Sequence, residues 1–403
     1  MGNDLTKLEK ISASSPWLVR YPLWRANERI RRIVETTRES HLILTVANHF
    51  EPAWDGTREG LGWAAQLSRV DDWHKMARRI GAVRDHDGRP FQHTNFYPGE
   101  QYHRGILDRL AEMQDEGLGE VEVHLHHGVD APDTPENLRR SLEEFRDVLA
   151  EDHKLLSRGD DGGKPMYGFV HGNSALANSA GGACCGVDSE MRILAETGCY
   201  GDFTLSSVHS RAQTARFNAI YSCGRPLDER APHRSGANLR AGSSPTLPII
   251  FTGPTVFDWS HRKQRRWMPR IDDGVLTAVY PLDFARLRNW RSARVGIRGR
   301  PEWIFIKLYC HGFFRFDPEA TIGDTMRRFL EDALDRADRT GDFKLHFASA
   351  RETFNIAMAA IEGKEGNPND YRDYKLKPIM RGSRRGSASP RPLGRAVEAE
   401  AVG

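Results

Sequence analysis

The run Glu120-Val121-Glu122-Val123-His124-Leu125-His126-His127-Gly128-Val129-Asp130 limits what this chain can fold into more than any other stretch. Its strict alternation is that of a β-strand with Val121, Val123 and Leu125 on one face and Glu122, His124 and His126 on the other. One face belongs on a core, while the other presents imidazoles and a carboxylate, a donor set for a divalent metal. Three more segments repeat the design of an apolar strand that ends in ligand-type residues: 41–51 with His49 and Glu51, 166–173 with His171 and Asn173, and 303–312 with His311. Catalytic groups of parallel α/β barrels gather at the C-terminal ends of the strands. The four strand ends are therefore expected to converge on one site, with His126 or His127 completing it according to where the strand stops.

Helical spacing between these strands supports a parallel α/β layout. Leu67, Val70, Trp73, Met76, Ala77 and Ile80 recur with helical period over 67–80, as do Ile106, Leu107, Leu110 and Met113 over 99–116. Thr134 and Pro135 open a third helix, expected to run to about Leu156. A helix over 188–197, with Asp188 and Glu190 favouring its N-terminus, stops at Gly198 and passes into a strand over 199–205 that carries Asp202. From 207 to 300 the order weakens, with strand candidates only at 247–251 and 275–280, so this stretch reads as a long irregular insertion. The pattern then resumes with a strand over 303–309, a helix over 318–339, a strand over 343–347 and a helix opened by the capping box Ser349-Ala350-Arg351-Glu352. The expected organisation is a helical extension over 1–40, one barrel over 41–362 that includes the insertion, and a disordered tail over 363–403.

Composition narrows the function class. The 403 residues carry a formal net charge of only +3, so no nucleic-acid footprint is expected, and the basic runs at 260–266 and 381–395 read as solvated surface. No apolar run nears the roughly 20 residues that span a bilayer, and the N-terminus lacks a signal-peptide core, which points to a cytoplasmic protein without a transmembrane segment. Residues 1–6 fit a loose myristoylation pattern. The five cysteines, Cys184, Cys185, Cys199, Cys223 and Cys310, contain no Cys-x-x-Cys pair and indicate reduced thiols rather than disulfides or a thiolate zinc site. Cys185 and Cys310 are candidate nucleophiles, but Cys310 and His311 are neighbours on a strand and point to opposite faces, which argues against that pair acting together. Nothing in the sequence sets the oligomeric state.

In order and layout the strand-end motifs resemble those of the polysaccharide deacetylases of the NodB-homology, carbohydrate esterase four type, over about residues 42–360. The resemblance implies an α/β fold, a distorted (β/α) barrel of 7–8 parallel strands with a long irregular insertion. That family's first motif is an aspartate pair; here Val46-Ala47-Asn48-His49-Phe50-Glu51 stands in its place, with His49 as metal ligand and Glu51 as catalytic base. The family's histidine pair corresponds to His124 with His126 or His127 as metal ligands. Its arginine and proline strand is replaced by Phe169-Val170-His171-Gly172-Asn173, which offers His171 and Asn173 as substrate-binding groups, joined by Asp202. In the last motif Tyr309 stands where the catalytic histidine is expected, and His311 is the nearest general acid, with His346 in reserve.

The implied activity is hydrolysis of an N-acetyl group on a sugar or polysaccharide precursor, with a divalent metal, zinc, activating water and a carbohydrate as the partner. Two other readings stay open. One is an amidohydrolase of a non-sugar amide; the other is a non-catalytic barrel that serves as a binding or scaffold component of polysaccharide assembly, which the missing aspartate pair favours. Trp259, Trp267 and Trp290 are candidate stacking surfaces for a sugar, and His74, His86, His93, His103 and His153 are expected on the surface.

Overall fold

The structure, a computed structural model, describes residues 7–35, 39–57, 59–261, 268–314 and 317–380. The myristoylation pattern at 1–6, the basic residues 262–266, Trp267 and the basic tail at 381–395 lie outside these residues. Helix α1 (Lys7–Val34) precedes β1 (Ser40–His49), α2 (Trp63–Ile80), β2 (His93–Pro98), α3 (Arg104–Asp115), β3 (Gly119–Leu125) and α4 (Pro135–Asp147). The short β4 (Ser157–Gly159) leads to β5 (Tyr167–His171), α5 (Glu190–Thr197) and β6 (Cys199–Asp202). Five short strands follow, β7 (Ile220–Cys223), β8 (Gly236–Asn238), β9 (Ile249–Phe251), β10 (Val256–Asp258) and β11 (Arg270–Asp272), and then α6 (Phe284–Ala293). The chain closes with β12 (Trp303–His311), α7 (Asp317–Thr321), α8 (Asp324–Thr340), β13 (Phe343–Phe347), α9 (Ala350–Ile361) and β14 (Leu376–Pro378).

Ten strands form one mostly parallel sheet. β12, β1, β2, β3, β5, β6 and β9 pair in that order and all run parallel, while β7 and β8 extend the far edge antiparallel. β1 is the hub. On one side its register sets His41 beside Trp303 and His49 beside His311; on the other, β13 takes its first half and β2 its last three residues. Among the described residues no ladder joins β9 to β12; a single bridge from Val275 to Tyr309 spans part of that interval.

Alternation along the strands builds two apolar clusters. Leu42, Leu44, Val46, Val121, Val123, Leu125, Tyr167, Phe169, Ile306 and Leu308 pack with helix residues such as Val70, Leu107 and Leu142. Ile43, Ala47, Phe96, Val170, Tyr200, Ile249 and Phe305 pack on the other face, around an interior shared with α9. The alternate residues of β3, Glu122 and His124, lie on that interior side, as do His49 and His311.

Local signals hold where they rest on caps. The Thr134 hydroxyl accepts the Asn137 N–H at 3.2 Å, Gly198 ends α5 with φ 106°, and Ser349 and Glu352 form the reciprocal capping box of α9. α4 stops at Asp147 and continues to Asp152 as a wider helical turn, short of Leu156.

Several expectations are corrected. β2 has no apolar alternation in its sequence because both faces are buried and its polar groups are satisfied internally: His93 Nε2 bonds the Thr321 carbonyl at 3.0 Å and Asn95 Oδ1 accepts from Asn48 at 3.1 Å. His93, His74 and His153 are buried rather than superficial. The insertion contains α6, and 275–280 is not a strand. The chain does not become a tail at 363, since β14 pairs antiparallel with β4 and the Arg372 guanidinium is buried against Asp85 (3.2 Å) and Glu352 (2.9 Å).

Candidate functional site

At the carboxyl ends of β1, β3 and β12, five ligand-type side chains meet. His49 and His311 are opposite each other in the β1–β12 register, with ring centroids 4.4 Å apart, and His124 lies 4.9 Å from His49 on the same measure. Glu51, two residues beyond β1, places Oε1 3.8 Å from His124 Nε2 and 3.3 Å from His126 Nε2. One ligand atom from each of His49, Glu51 and His124 lies within 4.8 Å of the others, so this cluster can hold a metal ion.

The tautomer of His124 is set by its backbone neighbour. Its Nδ1–H donates to the Val170 carbonyl at 2.8 Å, which turns Nε2 toward Glu51; that nitrogen is buried with no hydrogen-bond partner. A fully buried imidazole nitrogen without a partner is costly unless something else binds it. His126 is oriented likewise, because Nδ1–H donates to Glu100 Oε1 at 2.6 Å and its backbone N–H donates to Glu100 Oε2 at 3.3 Å. Gly172 is required beneath that ring, since a Cβ there would stand 2.2 Å from His126 Cδ2. Glu100 follows β2 directly, and its role is invisible in the sequence because β2 itself is.

Electrostatics matches a ligand set. Burial, together with the neighbouring His311, His124 and His126, pushes His49 well below the usual imidazole range, so it is neutral. Burial alone would raise Glu51, but the imidazoles of His124, His311 and His126 outweigh it and hold the carboxyl at about 2. Such a carboxylate is a permanent anion, better suited to coordination than to taking up a proton near neutral pH. Burial lowers His311, whereas for His126 the carboxylates of Glu100 and Glu51 overcome burial and raise it. Two imidazoles and a carboxylate are a familiar catalytic donor set for zinc.

An aromatic wall flanks this cluster. The Phe314 ring stacks on His311 at 4.2 Å, and Trp54, partly exposed, stacks on Phe314 at 4.7 Å. Arg69 fixes the Trp54 loop by donating to the Pro52 and Trp54 carbonyls. Of the tryptophans singled out from the sequence, the two described are elsewhere: Trp290 is buried, with its indole N–H on Asp272, and Trp259 is exposed in the insertion.

Not every expected residue reaches this cluster. His127, just beyond the end of β3, meets His171 instead, at a ring distance of 4.8 Å. His171 follows Tyr167 and Phe169 on the outer face of β5, so it belongs with His127 rather than with Glu51. There the two histidines join Cys185 and Glu190 in a second buried cluster that can hold a metal ion. Glu190 is thus no simple helix cap. Asn173 is exposed in a left-handed turn, φ 55°. The Asp202 carboxylate is closed by the Thr204 hydroxyl (2.7 Å) and backbone N–H (3.2 Å), and burial pushes it up to about 7. His346 is at the opposite end of the sheet from His49, bonded to Asp87 (2.6 Å) and His41 (2.8 Å), which removes it as a reserve acid.

Sequence reasoning named Cys185 and Glu190 but not as partners of His127 and His171, and it missed Glu100, Trp54 and Phe314. No helix of the described residues is long and apolar enough to cross a membrane. No protein-family model, curated protein or solved structure matches this chain.

Proposed function

We propose that this protein is a metal-dependent hydrolase that removes an N-acetyl group from a sugar or polysaccharide precursor in the cytoplasm, and that its parallel sheet is the wall of a distorted (β/α) barrel. The observation that carries the reading is the buried, partnerless Nε2 of His124, aimed at Glu51 and beside His49 at the strand ends. His49, Glu51 and His124 hold the ion. A divalent metal of this donor set, zinc foremost, supplies Lewis acidity and lowers the pKa of bound water toward about 7. His126, locked by Glu100, and His311, locked by Phe314, flank the ligands and are placed to move the proton between the attacking water and the departing amine. Trp54 and Phe314 offer an aromatic face on which a sugar ring stacks, which favours a carbohydrate over a small linear amide. This assigns Glu51 as a ligand in place of the base expected from the sequence.

The test is acetate release from N-acetylglucosamine oligomers by the zinc-loaded protein. Turnover that falls in His311→Ala and His126→Ala while metal content holds supports the proposal. A metal-replete protein without turnover on any acetylated sugar overturns it in favour of a binding role.

A further inference from the structure

We infer that His127, His171, Cys185 and Glu190 form a second metal site, a closed structural centre for a zinc-like divalent ion, distinct from the His49–Glu51–His124 cluster. His127 Nε2 is 3.1 Å and His171 Nε2 3.5 Å from Glu190 Oε1, and Cys185 Sγ is 3.5 Å from Glu190 Oε2. Tetrahedral coordination with metal–nitrogen bonds near 2.0–2.1 Å and a metal–sulfur bond near 2.3 Å sets ligand atoms about 3.3–3.7 Å apart, close to what is found.

An independent observation points to an ion. His171 is fully buried; its Nδ1–H donates to the Gly172 carbonyl at 2.5 Å, so its Nε2 carries a lone pair, and that nitrogen has no hydrogen-bond partner while facing Glu190. His127 is braced as metal-bound histidines are, with Nδ1–H donating to Asp133 Oδ2 at 3.0 Å. Asp133 is fixed in turn by the Thr134 N–H (2.8 Å) and the Asn137 amide (2.7 Å) at the start of α4. A thiolate, a carboxylate and two neutral imidazoles balance a divalent charge, so the filled site is neutral in a place that water does not reach. Binding releases the Cys185 thiol proton and the His127 Nε2 proton to solvent.

Burial decides between a structural and a catalytic role. His127 is 7% exposed and the other three are 0% exposed, which leaves no open position for substrate. The four residues join the loop after β3, the end of β5, the 172–187 segment and the first turn of α5. That segment needs a clamp, because Asn173, Ser174, Ala177, Asn178 and Cys184 all have positive φ. Gly128 allows the join, since a Cβ there would stand 2.0 Å from the Cys185 carbonyl oxygen.

The test is elemental analysis with X-ray absorption on full-length His124→Ala protein purified without chelator, in which the first cluster is disabled. About one equivalent of retained metal with a sulfur neighbour near 2.3 Å is the expected result. Loss of all metal, or retained metal with only nitrogen and oxygen neighbours, overturns the assignment. Cys185→Ser, where it folds, is expected to lose the sulfur signal while keeping the metal at the first cluster. Failure of the deacetylase reading leaves these outcomes unchanged, because the sulfur signature belongs to Cys185 alone.

Discussion

His93 makes the stability of this fold sensitive to mild acid. Its ring is 2% exposed on β2, between Trp73 (5.4 Å) and Phe91 (5.1 Å), and burial holds its pKa down to about 4 although the Thr321 carbonyl favours the charged form. In the unfolded chain it titrates near 6.5. Above that value both states are neutral and His93 imposes no pH dependence. As pH falls below 6.5 the unfolded chain takes up a proton that the folded protein refuses, and the native state loses about 1.4 kcal/mol per pH unit until the folded pKa is reached near 4. Between pH 7 and pH 5 this single group therefore costs about 2 kcal/mol. His93→Gln keeps an N–H for Thr321 but does not titrate. Urea unfolding at the two pH values should show the wild type losing about 2 kcal/mol more than the variant. Equal losses would refute the reasoning.

Other perturbations probe the site and its supports. Glu100→Gln weakens the charge-assisted bond that orients His126; because Glu100 is one-third exposed, a discounted 1–2 kcal/mol, or about 5- to 30-fold in kcat/KM, is expected with metal content unchanged and partial rescue by Glu100→Asp. Trp54→Ala should lower kcat/KM about 2- to 10-fold on acetylated sugar oligomers, chiefly through KM, since it removes one stacking face. Arg351→Met should cost roughly 3–5 kcal/mol in denaturant titrations because it strands Glu120, which the guanidinium grips at 2.7 Å; a double variant with Glu120→Leu should recover most of the loss.

How much of this was legible follows strand phase. In β3 the alternation of Val121, Val123 and Leu125 against Glu122 and His124 is unambiguous, and the position of His124 could be read from it. His126 and His127 lie just beyond the end of β3, and only their contacts, with Glu51 for the first and His171 for the second, separate them. β5 is too short for alternation to speak, and Tyr167, Phe169 and His171 face the helices, so an apolar run ending in histidine pointed to the wrong cluster. β2 hid because buried polar residues carry no hydrophobic period, and Glu100 was lost with it. Cys185 and Glu190 come from an irregular loop and a helix start, and only tertiary packing brings them to His127. The segment 363–380 looked like a tail because its order rests on Arg372 and on pairing with β4, which leave no local signature.

The most direct test of the central claim is the metal content of wild type and His124→Ala, purified side by side without chelator. Loss of about one equivalent of divalent metal in the variant, with the fold intact by circular dichroism, is what the account predicts. Identical metal content in the two proteins would contradict it.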